Sequence, residues 1–575
     1  MIRYCIINSS LYVYPFRSHP LPLTSEGQNF SHLLQHQEYW FRLIPRPLAV
    51  AVQLGSLVVT ERMFGIAFLV FAITVLAYAI SWVYNRSKYW EKKGIKCLPA
   101  LPIFGNCLPV VLERKTVGEV IQDIYNAFPD EPVIGYYEFM TPRLLIRDND
   151  LVQKVLVRDF GHFVDHGFEV DEKKNPLDDQ LFMMTGNKWR AFRTKLAPLF
   201  TSGKLKAMYD VMTEVGDGLL EYLDKNKSND IDIREAMGLF SMDIIGSAAF
   251  GIYPGVLKNP ESEFRLMGNK INNTGVKTLA RTVFFFSFSK IAKIIGFSLL
   301  PKSVTGYFSN IIRNAIDLRK KNDIKRNDFI QMMIQLKERG HIELRTLDSS
   351  DDYLKNELND TNTEIFEITD DILMAQAQSF LVAGFEMTAL LLTYAMLEIC
   401  QKPEIQDALR KEVMEQVKLN NGLTYEALKN MKNLEQTVKE TQRIYPLTPY
   451  LTRICTNPYT LPNGFTIDKG EYVAIPVAAI HKDPAFYPDP KSFKPERFSE
   501  PPKPGTFLPF GEGPRMCIAM RYGMLLVKYG LALFLLNYKA KLSSSTKPPF
   551  KFVNRISGII PNKKILFNIE KINEK

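Results

Sequence analysis

The chain has 575 residues, of which 46% are hydrophobic and 23% are charged, and its formal net charge is +10. This length allows one large core or two domains. The charge is moderate and shows no basic block interleaved with aromatic side chains, which argues against nucleic acid and favours a membrane surface or an acidic protein partner.

The cysteines and histidines indicate which metal sites and which redox compartment to expect. The seven histidines form neither an H-x-x-x-H pair nor a cluster with cysteine, so no zinc site is expected. The cysteines show no paired spacing, which indicates a reducing compartment rather than a disulfide framework. They are Cys5, Cys97, Cys107, Cys400, Cys455 and Cys517.

Residues 1–62 are predicted to be an unstructured leader. Their composition is irregular, and the apolar run Leu48–Val59 is too short to span a bilayer. Met63 stands at the start of the next segment, where an initiator methionine would be expected. Residues 1–62 are therefore interpreted as an extension that arises from an upstream start or from an error in the gene model. A genuine targeting leader is the alternative.

Residues 63–85 are predicted to be a signal-anchor transmembrane helix. The run Phe64–Tyr84 is apolar except for Thr74 and Ser81, and about 20 such residues span a bilayer. A buried core helix is the alternative. No convincing cleavage site follows. Basic residues come next and place that flank in the cytosol: Arg86, Lys88, Lys92, Lys93 and Lys96.

Residues 86–106 combine this basic stretch with a proline-rich run, Leu98–Asn106. Because prolines remove amide donors and break helices, the run predicts a stiff hinge. No later linker is long enough to divide domains, so residues 107–575 are predicted to form one cytosolic domain.

The first half of this domain offers one pair of strands and one informative helix. Paired strands are predicted over Val133–Arg147, and a helix from Gly186 to Phe200. Trp189 and Arg193 are four residues apart and share a helix face. Their indole N–H and guanidinium can converge on one carboxylate, although an arginine packed on a surface tryptophan gives the same pattern.

A second long helix is predicted after an acidic, exposed loop at Leu347–Glu364. Thr369 is a good N-cap, and Asp370 and Asp371 suit the first turn. The helix runs through the segment 383–388, whose residues are Ala-Gly-Phe-Glu-Met-Thr.

Downstream, Glu440 and Arg443 can pair on an amphipathic helix that ends before Pro446. An isolated pair of this kind is usually a solvated salt bridge of little worth. Arg497 supplies a second arginine further along the chain. Between these elements, Asn463-Gly464 predicts a hairpin turn, followed by a strand over residues 471–480.

The glycine-rich loop 507–516 precedes Cys517 and an apolar helical run, Ile518–Leu535. Gly511 and Gly513 allow turns that residues with a Cβ resist. A helix N-terminus favours a thiolate at Cys517, which can be the fifth ligand of a haem iron. Arg515 is placed to meet a propionate. The alternative is an ordinary loop cysteine before a core helix.

This loop resembles the haem-binding loop of the cytochrome P450 family, F-x-x-G-x-R-x-C-x-(G/A), through Phe510, Gly513, Arg515, Cys517 and Ala519. Ala519 stands where most members have glycine. The resemblance implies a mainly α fold with small β-sheets and a haem b cofactor with Cys517 as axial thiolate. It also implies that the W-x-x-x-R pair, Trp189 and Arg193, contacts a haem propionate.

The segment 383–388 resembles the family's oxygen-activation helix, (A/G)-G-x-(D/E)-T. The resemblance implies that Ala383 and Gly384 leave space for dioxygen and that Glu386 feeds protons inward through water. The family's threonine falls at position 387, where this chain has Met387, and Thr388 comes one residue late. One residue turns a helix by about 100°. Thr388 therefore takes the same place only if the helix is locally distorted.

Glu440, Arg443 and Arg497 resemble the family's E-x-x-R and P-E-R-F elements. There, one carboxylate and two arginines lock the core beneath the haem loop, so their implied role is structural. The matching elements occur in the family's order over residues 97–561.

The implied function is a microsomal monooxygenase, closest to the animal clan that contains insect detoxification enzymes. It inserts one oxygen atom from O2 into a small apolar substrate and receives electrons from NADPH through cytochrome P450 reductase, with cytochrome b5 as a further candidate partner. The implied location is the endoplasmic reticulum membrane, with the catalytic domain in the cytosol. Four basic residues are candidates for reductase docking: Lys195, Lys204, Arg521 and Lys528.

Two alternatives remain open from the sequence. A haem-thiolate isomerase or synthase would rearrange a peroxide without a reductase, and Met387 favours this alternative. A non-catalytic carrier or sensor would bind haem or ligand without consuming NADPH. Candidate walls of the substrate pocket, placed by resemblance, are apolar: 163–184, 283–297, 377–389, 447–454 and 554–560.

Overall fold

A computed structural model of the chain describes residues 46–227, 230–271, 276–326, 328–345, 363–555 and 558–572, with the backbone alone over 46–64. The chain divides into two compact units, Met1–Trp82 and Val83–Lys575, and each is considered separately.

The described part of the first unit is helical and belongs to α1, Arg46–Ser87. Within α1, the most apolar 18-residue window of Gly65–Ser87 has a mean hydropathy of 2.4 and no buried residue, so by length and composition this segment can cross a membrane. The helix begins 17 residues before Met63, so the prediction of an unstructured leader is wrong for residues 46–62. No proline follows Pro47 there to interrupt helical hydrogen bonding. Residues 1–45 lie outside the described part of the chain.

The second unit is mainly helical, as predicted. Its helices are α2 Tyr89–Lys92, α3 Leu108–Val111, α4 Val117–Ala127, α5 Asn149–Gln153, α6 Gly186–Leu196, α7 Ser202–Asn226, α8 Ile233–Ile244, α9 Glu263–Ile271, α10 Val276–Ser287, α11 Ser289–Ile295, α12 Lys302–Lys321, α13 Phe329–Arg339, α14 Asp370–Cys400, α15 Pro403–Leu419, α16 Tyr425–Asn430, α17 Lys432–Ile444, α18 Val477–Ile480 and α19 Met520–Asn537.

Short strands form small sheets beside these helices. One four-stranded sheet has the order β1-β2-β9-β6, and one three-stranded sheet has the order β10-β13-β3. The strands are β1 Val133–Glu138, β2 Thr141–Ile146, β3 Ile231–Asp232, β4 His341–Arg345, β5 Thr363–Glu367, β6 Leu451–Ile454, β7 Tyr459–Thr460, β8 Thr466–Ile467, β9 Tyr472–Ile475, β10 Tyr538–Leu542, β11 Phe552–Arg555, β12 Gly558–Pro561 and β13 Leu566–Lys571.

Helix α14 is the central element of the larger core. Thr369 caps it by accepting a hydrogen bond from the N–H of Ile372 at 3.2 Å, as its sequence predicts. The helix is apolar enough to cross a membrane, but 72% of its most apolar window is buried by protein. It packs against α8, α17 and α19, so it is a core helix.

Most of the local predictions are confirmed in this unit. Strands β1 and β2 pair antiparallel from Val133 to Ile146, and β7 pairs with β8 across the predicted hairpin. The strand predicted over 471–480 ends at Ile475, because Pro476 breaks the ladder and α18 begins. Of the predicted loop Leu347–Glu364, residues 347–362 lie outside the described chain and the rest belongs to β5.

The segment 86–106, which combines the basic stretch with the predicted hinge, lies against strand β1 within the second unit. Trp90 is 1% exposed. Its indole N–H donates to the carbonyl of Tyr136 at 3.1 Å, and the side chain of Asn106 accepts from the N–H of Tyr137 at 2.8 Å. These contacts attach the segment to the sheet.

Candidate active site

A cavity of about 370 Å³ lies between α14 and the segment 509–527. Helix α14 contributes residues 379, 380, 383, 384, 387, 388 and 391, a spacing that makes one continuous helical stripe. The opposite wall begins with the glycine-rich loop and continues into α19. The lining is mainly apolar, and Cys517 lies in it.

Cys517 lies three residues before α19. Its backbone N–H donates to the carbonyl of Phe510 at 2.8 Å, which closes the loop onto the cysteine. The side chain is exposed to the cavity, yet the surrounding protein is dense enough that burial raises the pKa of the thiol. The N–H of Ala519 and the guanidinium of Arg193 oppose that shift. Both groups would favour a thiolate when a metal replaces the proton.

Gly513 is required by the packing of the loop. Its φ is 74°, and a Cβ there would collide with the backbone carbonyl of Leu156. Gly511 also has a positive φ, 73°, but a Cβ would meet only ordinary contacts there. The two glycines therefore serve different needs, close approach at 513 and a left-handed turn at 511.

Trp189 and Arg193 both lie on the cavity wall, as their spacing on α6 predicts. Burial lowers the pKa of Arg193. Among the residues that the structure describes, no carboxylate forms an ion pair with this guanidinium. A half-buried cation without an anion is most stable beside a bound anionic group.

Arg515 lies over the Trp189 ring, 4.1 Å from its centre. Its guanidinium donates to the carbonyls of Val164 at 2.9 Å and Met184 at 2.7 Å, and it pairs with Asp165 at 3.1 Å. Burial lowers the pKa of Arg515 to about 9, against the attraction of Asp165. Most of its donors therefore hold protein groups, and this network fixes the loop beside Cys517.

Two polar residues of the cavity, Arg453 and His166, lie within the predicted pocket walls but were not singled out by the sequence analysis. Arg453 is 1% exposed, and its Nε is buried without a partner. Its other donors reach Thr452 O at 2.8 Å and His166 Nδ1 at 3.0 Å. Burial lowers the pKa of Arg453 to about 10. The available signal was an arginine within a short strand, β6, whose other residues are uncharged.

On the opposite wall, Ala383 is exposed to the cavity, and Gly384 lies beside it. A Cβ at Gly384 would come within 2.7 Å of the Ile245 side chain. The small residue at 384 thus admits Ile245, which also lines the cavity.

Met387 and Thr388 are both on the cavity stripe of α14. The helix is α-helical without a break from Asp370 to Cys400, so the local distortion that would move Thr388 does not occur. The Thr388 hydroxyl donates to the carbonyl of Gly384 at 2.7 Å. The side chain of Met387 lines the cavity at the position where the sequence resemblance places the family's threonine.

Glu386 lies off this stripe and is absent from the cavity lining. Its carboxylate accepts from Arg234 on α8 at 2.6 Å. The side chain of Glu386 is 8% exposed, whereas that of Arg234 is 34% exposed. The structure therefore places Glu386 at a link between the buried face of α14 and a guanidinium that reaches towards solvent. Arg234 is a partner that sequence reasoning missed.

Glu440, Arg443 and Arg497 come together beneath the loop. Arg443 makes a two-pronged contact with Glu440 at 2.7 and 2.8 Å, and both side chains are fully buried. Arg497 approaches the same carboxylate at 3.4 Å. Arg443 also donates to the carbonyls of His481 and Pro490, each at 2.9 Å. The pair is therefore a buried lock, not the solvated pair that is usual for isolated i,i+3 spacing.

A sequence model described as cytochrome P450 matches residues 95–569. The chain is 35% identical over 499 residues to cytochrome P450 6k1 of Blattella germanica, covering 85% of this chain and 94% of the relative. It is 34% identical over 527 residues to cytochrome P450 6A1 of Musca domestica, covering 88% and 99%.

The chain belongs to the cytochrome P450 family. Probable cytochrome P450 6d5 of Drosophila melanogaster is a further relative, 35% identical over 489 residues, covering 84% of this chain and 94% of the relative. Membership and these relatives establish a cytochrome P450 monooxygenase, a haem-thiolate enzyme.

The residues present in this cytochrome P450 fit a haem. The cavity holds a cysteine beside an amide donor on one wall. It also holds the guanidinium of Arg193, which pairs with no carboxylate of the described residues, and the Nε of Arg453, which has no hydrogen-bond partner among them. The rest of the lining is mainly apolar. A flat apolar group with anionic substituents and an iron centre matches this set of donors.

Two other expectations about the cytochrome P450 need correction. Lys528 is 6% exposed and pairs with Glu435 at 3.3 Å, so it is not a surface docking residue, because it lies where α19 packs against α17. Residues 283–297 and 558–560 do not line the described cavity, and the side chains of 554–557 lie outside the described part of the chain. Leu199, Met208, Ile245 and Phe329 line the cavity.

Proposed function

We propose that this cytochrome P450 inserts one oxygen atom into a small apolar substrate, using electrons that NADPH supplies through the flavoprotein cytochrome P450 reductase. The observation that carries this proposal is Cys517 on the wall of a cavity whose lining is mainly apolar. Haem bound through a thiolate supplies dioxygen activation, because thiolate donation favours cleavage of the O–O bond.

Cys517 is proposed as the axial ligand. Ala519 N–H and Arg193 would hold its negative charge, as their effects on the thiol pKa indicate. Trp189, Arg193 and Arg453 are proposed to hold the propionates, since these donors have spare capacity in the cavity. Arg515 would contribute mainly by fixing the loop.

The substrate side of the cavity is proposed to lie against α14. Phe380, Ala383 and Met387 offer an apolar surface there, so binding would depend on burial of apolar area rather than on charge. Proton delivery would start at Arg234 and Glu386 and must cross from that side of α14 to the cavity through water or through Thr388.

Reconstitution tests the activity directly. Full-length protein in a lipid bilayer, supplied with reductase and NADPH, should convert apolar substrates that perturb its ligand-binding spectrum, and one atom of 18O2 should appear in the product. Conversion of a hydroperoxide without NADPH, with no 18O2 incorporation, would instead establish an isomerase or synthase. Normal reduction without product from any spectrally binding substrate would indicate a carrier.

The proposed location is the endoplasmic reticulum membrane, with residues 63–85 as anchor, 86–106 as connector and 107–575 as cytosolic catalytic domain. The apolar part of α1 within Gly65–Ser87 is by itself long enough to cross a bilayer, which supports treating residues 1–62 as dispensable for anchoring. Deletion of 1–62 should leave microsomal localisation unchanged. Loss of localisation would show that the leader is a targeting signal.

The proposed reductase surface retains Lys195, Lys204 and Arg521 after Lys528 is removed from it. Arg521 is exposed, while the two lysines are half-buried. Arg521→Glu should raise the apparent KM for reductase and weaken its salt dependence. Lys320→Glu, an exposed charge on α12, is the control and should leave the KM unchanged. An unchanged KM in both variants would place the docking surface elsewhere.

A further inference from the structure

His481 lies between the buried lock and the loop that carries Cys517. It follows α18 directly and is fully buried. Its backbone carbonyl accepts from Arg443 at 2.9 Å. Its ring Nε2 accepts from the N–H of Leu508 at 2.9 Å, and Leu508 is itself fully buried. One residue thus contacts both the lock and the start of the loop.

The direction of the hydrogen bond to the ring shows which nitrogen of the His481 imidazole carries the proton. A backbone N–H can only donate, so Nε2 of His481 carries no proton and Nδ1 carries the single one. Burial, together with the charge of Arg443, disfavours a second proton. The backbone groups of Gln442 and Arg443 lie near the ring and raise its pKa slightly against this effect, but Nδ1 has no hydrogen-bond partner among the described residues.

From Leu508 a short series of backbone bonds leads to the cysteine. The carbonyl of Leu508 accepts from Gly511 at 3.1 Å, and the carbonyl of Phe510 accepts from Cys517 at 2.8 Å. The ring of His481 also stacks on Phe507 with 5.4 Å between centres. The position of the imidazole is therefore transmitted to the backbone that sets the direction of Cys517.

We propose that His481 is a positioning residue for the haem ligand, acting as the acceptor that holds the Leu508 N–H. The proposal rests on the proposed role of Cys517. If the acceptor is removed, the Leu508 N–H is left buried and unpaired, and a loop that moves to reach another acceptor also moves the cysteine. Groups that support a metal ligand from behind affect metal affinity in this way.

Two variants separate the acceptor from the stacking contact. His481→Phe keeps an aromatic ring against Phe507 but has no acceptor. His481→Gln keeps an oxygen acceptor near Nε2 but loses the ring. His341→Phe is the matched control, because His341 is a half-exposed residue of β4.

The measurement uses purified full-length holoprotein in lipid. The ferrous carbon-monoxide spectrum gives the fraction with the red-shifted Soret band of thiolate ligation, and its decay at constant temperature gives the lifetime of that state. We expect His481→Phe to shorten this lifetime by about tenfold, as the loss of one buried hydrogen bond implies. His481→Gln should stay within about twofold of wild type, and His341→Phe should be unchanged.

The outcomes that overturn the proposal are distinct. A wild-type lifetime in His481→Phe, or an equal loss in His481→Gln, would show that the acceptor does not position the ligand. If the His481→Phe variant cannot be purified with bound haem, the His481→Leu variant is tested in its place. Holoprotein from His481→Gln but not from His481→Leu supports the proposal, and failure of both overturns it. Failure of the Cys517 assignment is seen separately, as a thiolate band that survives Cys517→Ala.

Discussion

The wall of the cavity that carries Cys517 and the wall formed by α14 differ in how their polar groups are used. Beneath the loop, Glu440 binds Arg443 and Arg497, and Arg443 binds two carbonyls further along the chain. These groups stabilise one conformation of the protein beneath the loop, and few of their hydrogen-bond donors point into the cavity.

On α14, the polar groups of Glu386 and Thr388 bind elsewhere: one lies outside the cavity lining, and the other hydrogen-bonds within the helix. Glu386 turns to Arg234, and the hydroxyl of Thr388 donates to Gly384. Met387 presents a thioether, which can accept a weak hydrogen bond but cannot donate one. The comparison indicates that polar groups on the cysteine side fix the shape of the loop, while the side chain of Met387 offers the cavity no hydrogen-bond donor.

The largest effect is expected at the centre of the first wall. Cys517→Ala should remove the red-shifted Soret band of the ferrous carbon-monoxide complex and most of the bound haem, because the axial thiolate is gone. Cys455→Ala, at a buried cysteine near β6, should keep both. A thiolate band in the Cys517 variant would mean that another residue binds the iron.

The lock should be the next most sensitive point. Glu440→Gln leaves Arg443 charged, fully buried and unpaired, so we expect a loss of about 3–5 kcal/mol in the free energy of unfolding. Urea unfolding followed by Soret absorbance measures it. Glu426→Gln on α16, where the pair with Lys429 is exposed, should cost no more than about 1 kcal/mol. Equal losses in the two variants would show that burial does not distinguish the pairs.

On the second wall, Met387→Thr should restore a donor at the family's position. With reductase and NADPH, wild type should release much peroxide per product. The variant should improve that ratio by about 100-fold, the lower end of the range for general acid assistance. Thr388→Ala should matter little, because an unbroken α-helix keeps its hydroxyl about 100° away from position 387.

The reverse pattern would change the mechanism. If Thr388→Ala abolishes product while Met387→Thr has no effect, Thr388 delivers the proton despite its position on the helix. If neither variant changes turnover and a hydroperoxide is consumed without NADPH, the monooxygenase assignment fails.

The smallest expected effect concerns Asp178, where the loop 166–184 meets the segment after α11. Asp178 is 3% exposed and accepts from Ser298 at 3.1 Å. Burial raises its pKa to about 6, against the opposing effects of Ser298, the N–H of Leu299 and Arg281. An acid with a raised pKa in the folded state is more favourable when neutral. This contribution to stability is therefore present below about pH 4 and is lost as pH rises through 6.

Asp178→Asn keeps an acceptor for Ser298 and removes the ionisation. The free energy of unfolding of each protein is measured with urea at pH 4.5 and at pH 7.5. We expect the difference between variant and wild type to shift in favour of the variant by about 1–3 kcal/mol between the lower and the higher pH. Taking the difference between variant and wild type cancels other titrating groups, including His481. A difference that does not change with pH would show that Asp178 stays ionised, or solvated, in the folded protein.

Several features of this cytochrome P450 follow from short stretches of sequence. The N-cap at Thr369, the loop before Cys517, the shared face of Trp189 and Arg193, and the pairing of Glu440 with Arg443 all depend on residues within a few positions of each other. Backbone hydrogen bonding and helical periodicity determine such features locally, which is why sequence reasoning found them.

Other features were decided only by tertiary packing. Glu386 meets Arg234 from another helix, Arg453 enters the cavity from strand β6, and Lys528 is buried against Glu435. The need for glycine at 513 comes from the backbone of Leu156. No periodicity or spacing encodes these pairs, because they depend on which faces of distant elements pack together. The sequence alone therefore determined the fold and the cysteine loop, whereas packing determined the partners of the charged groups around them.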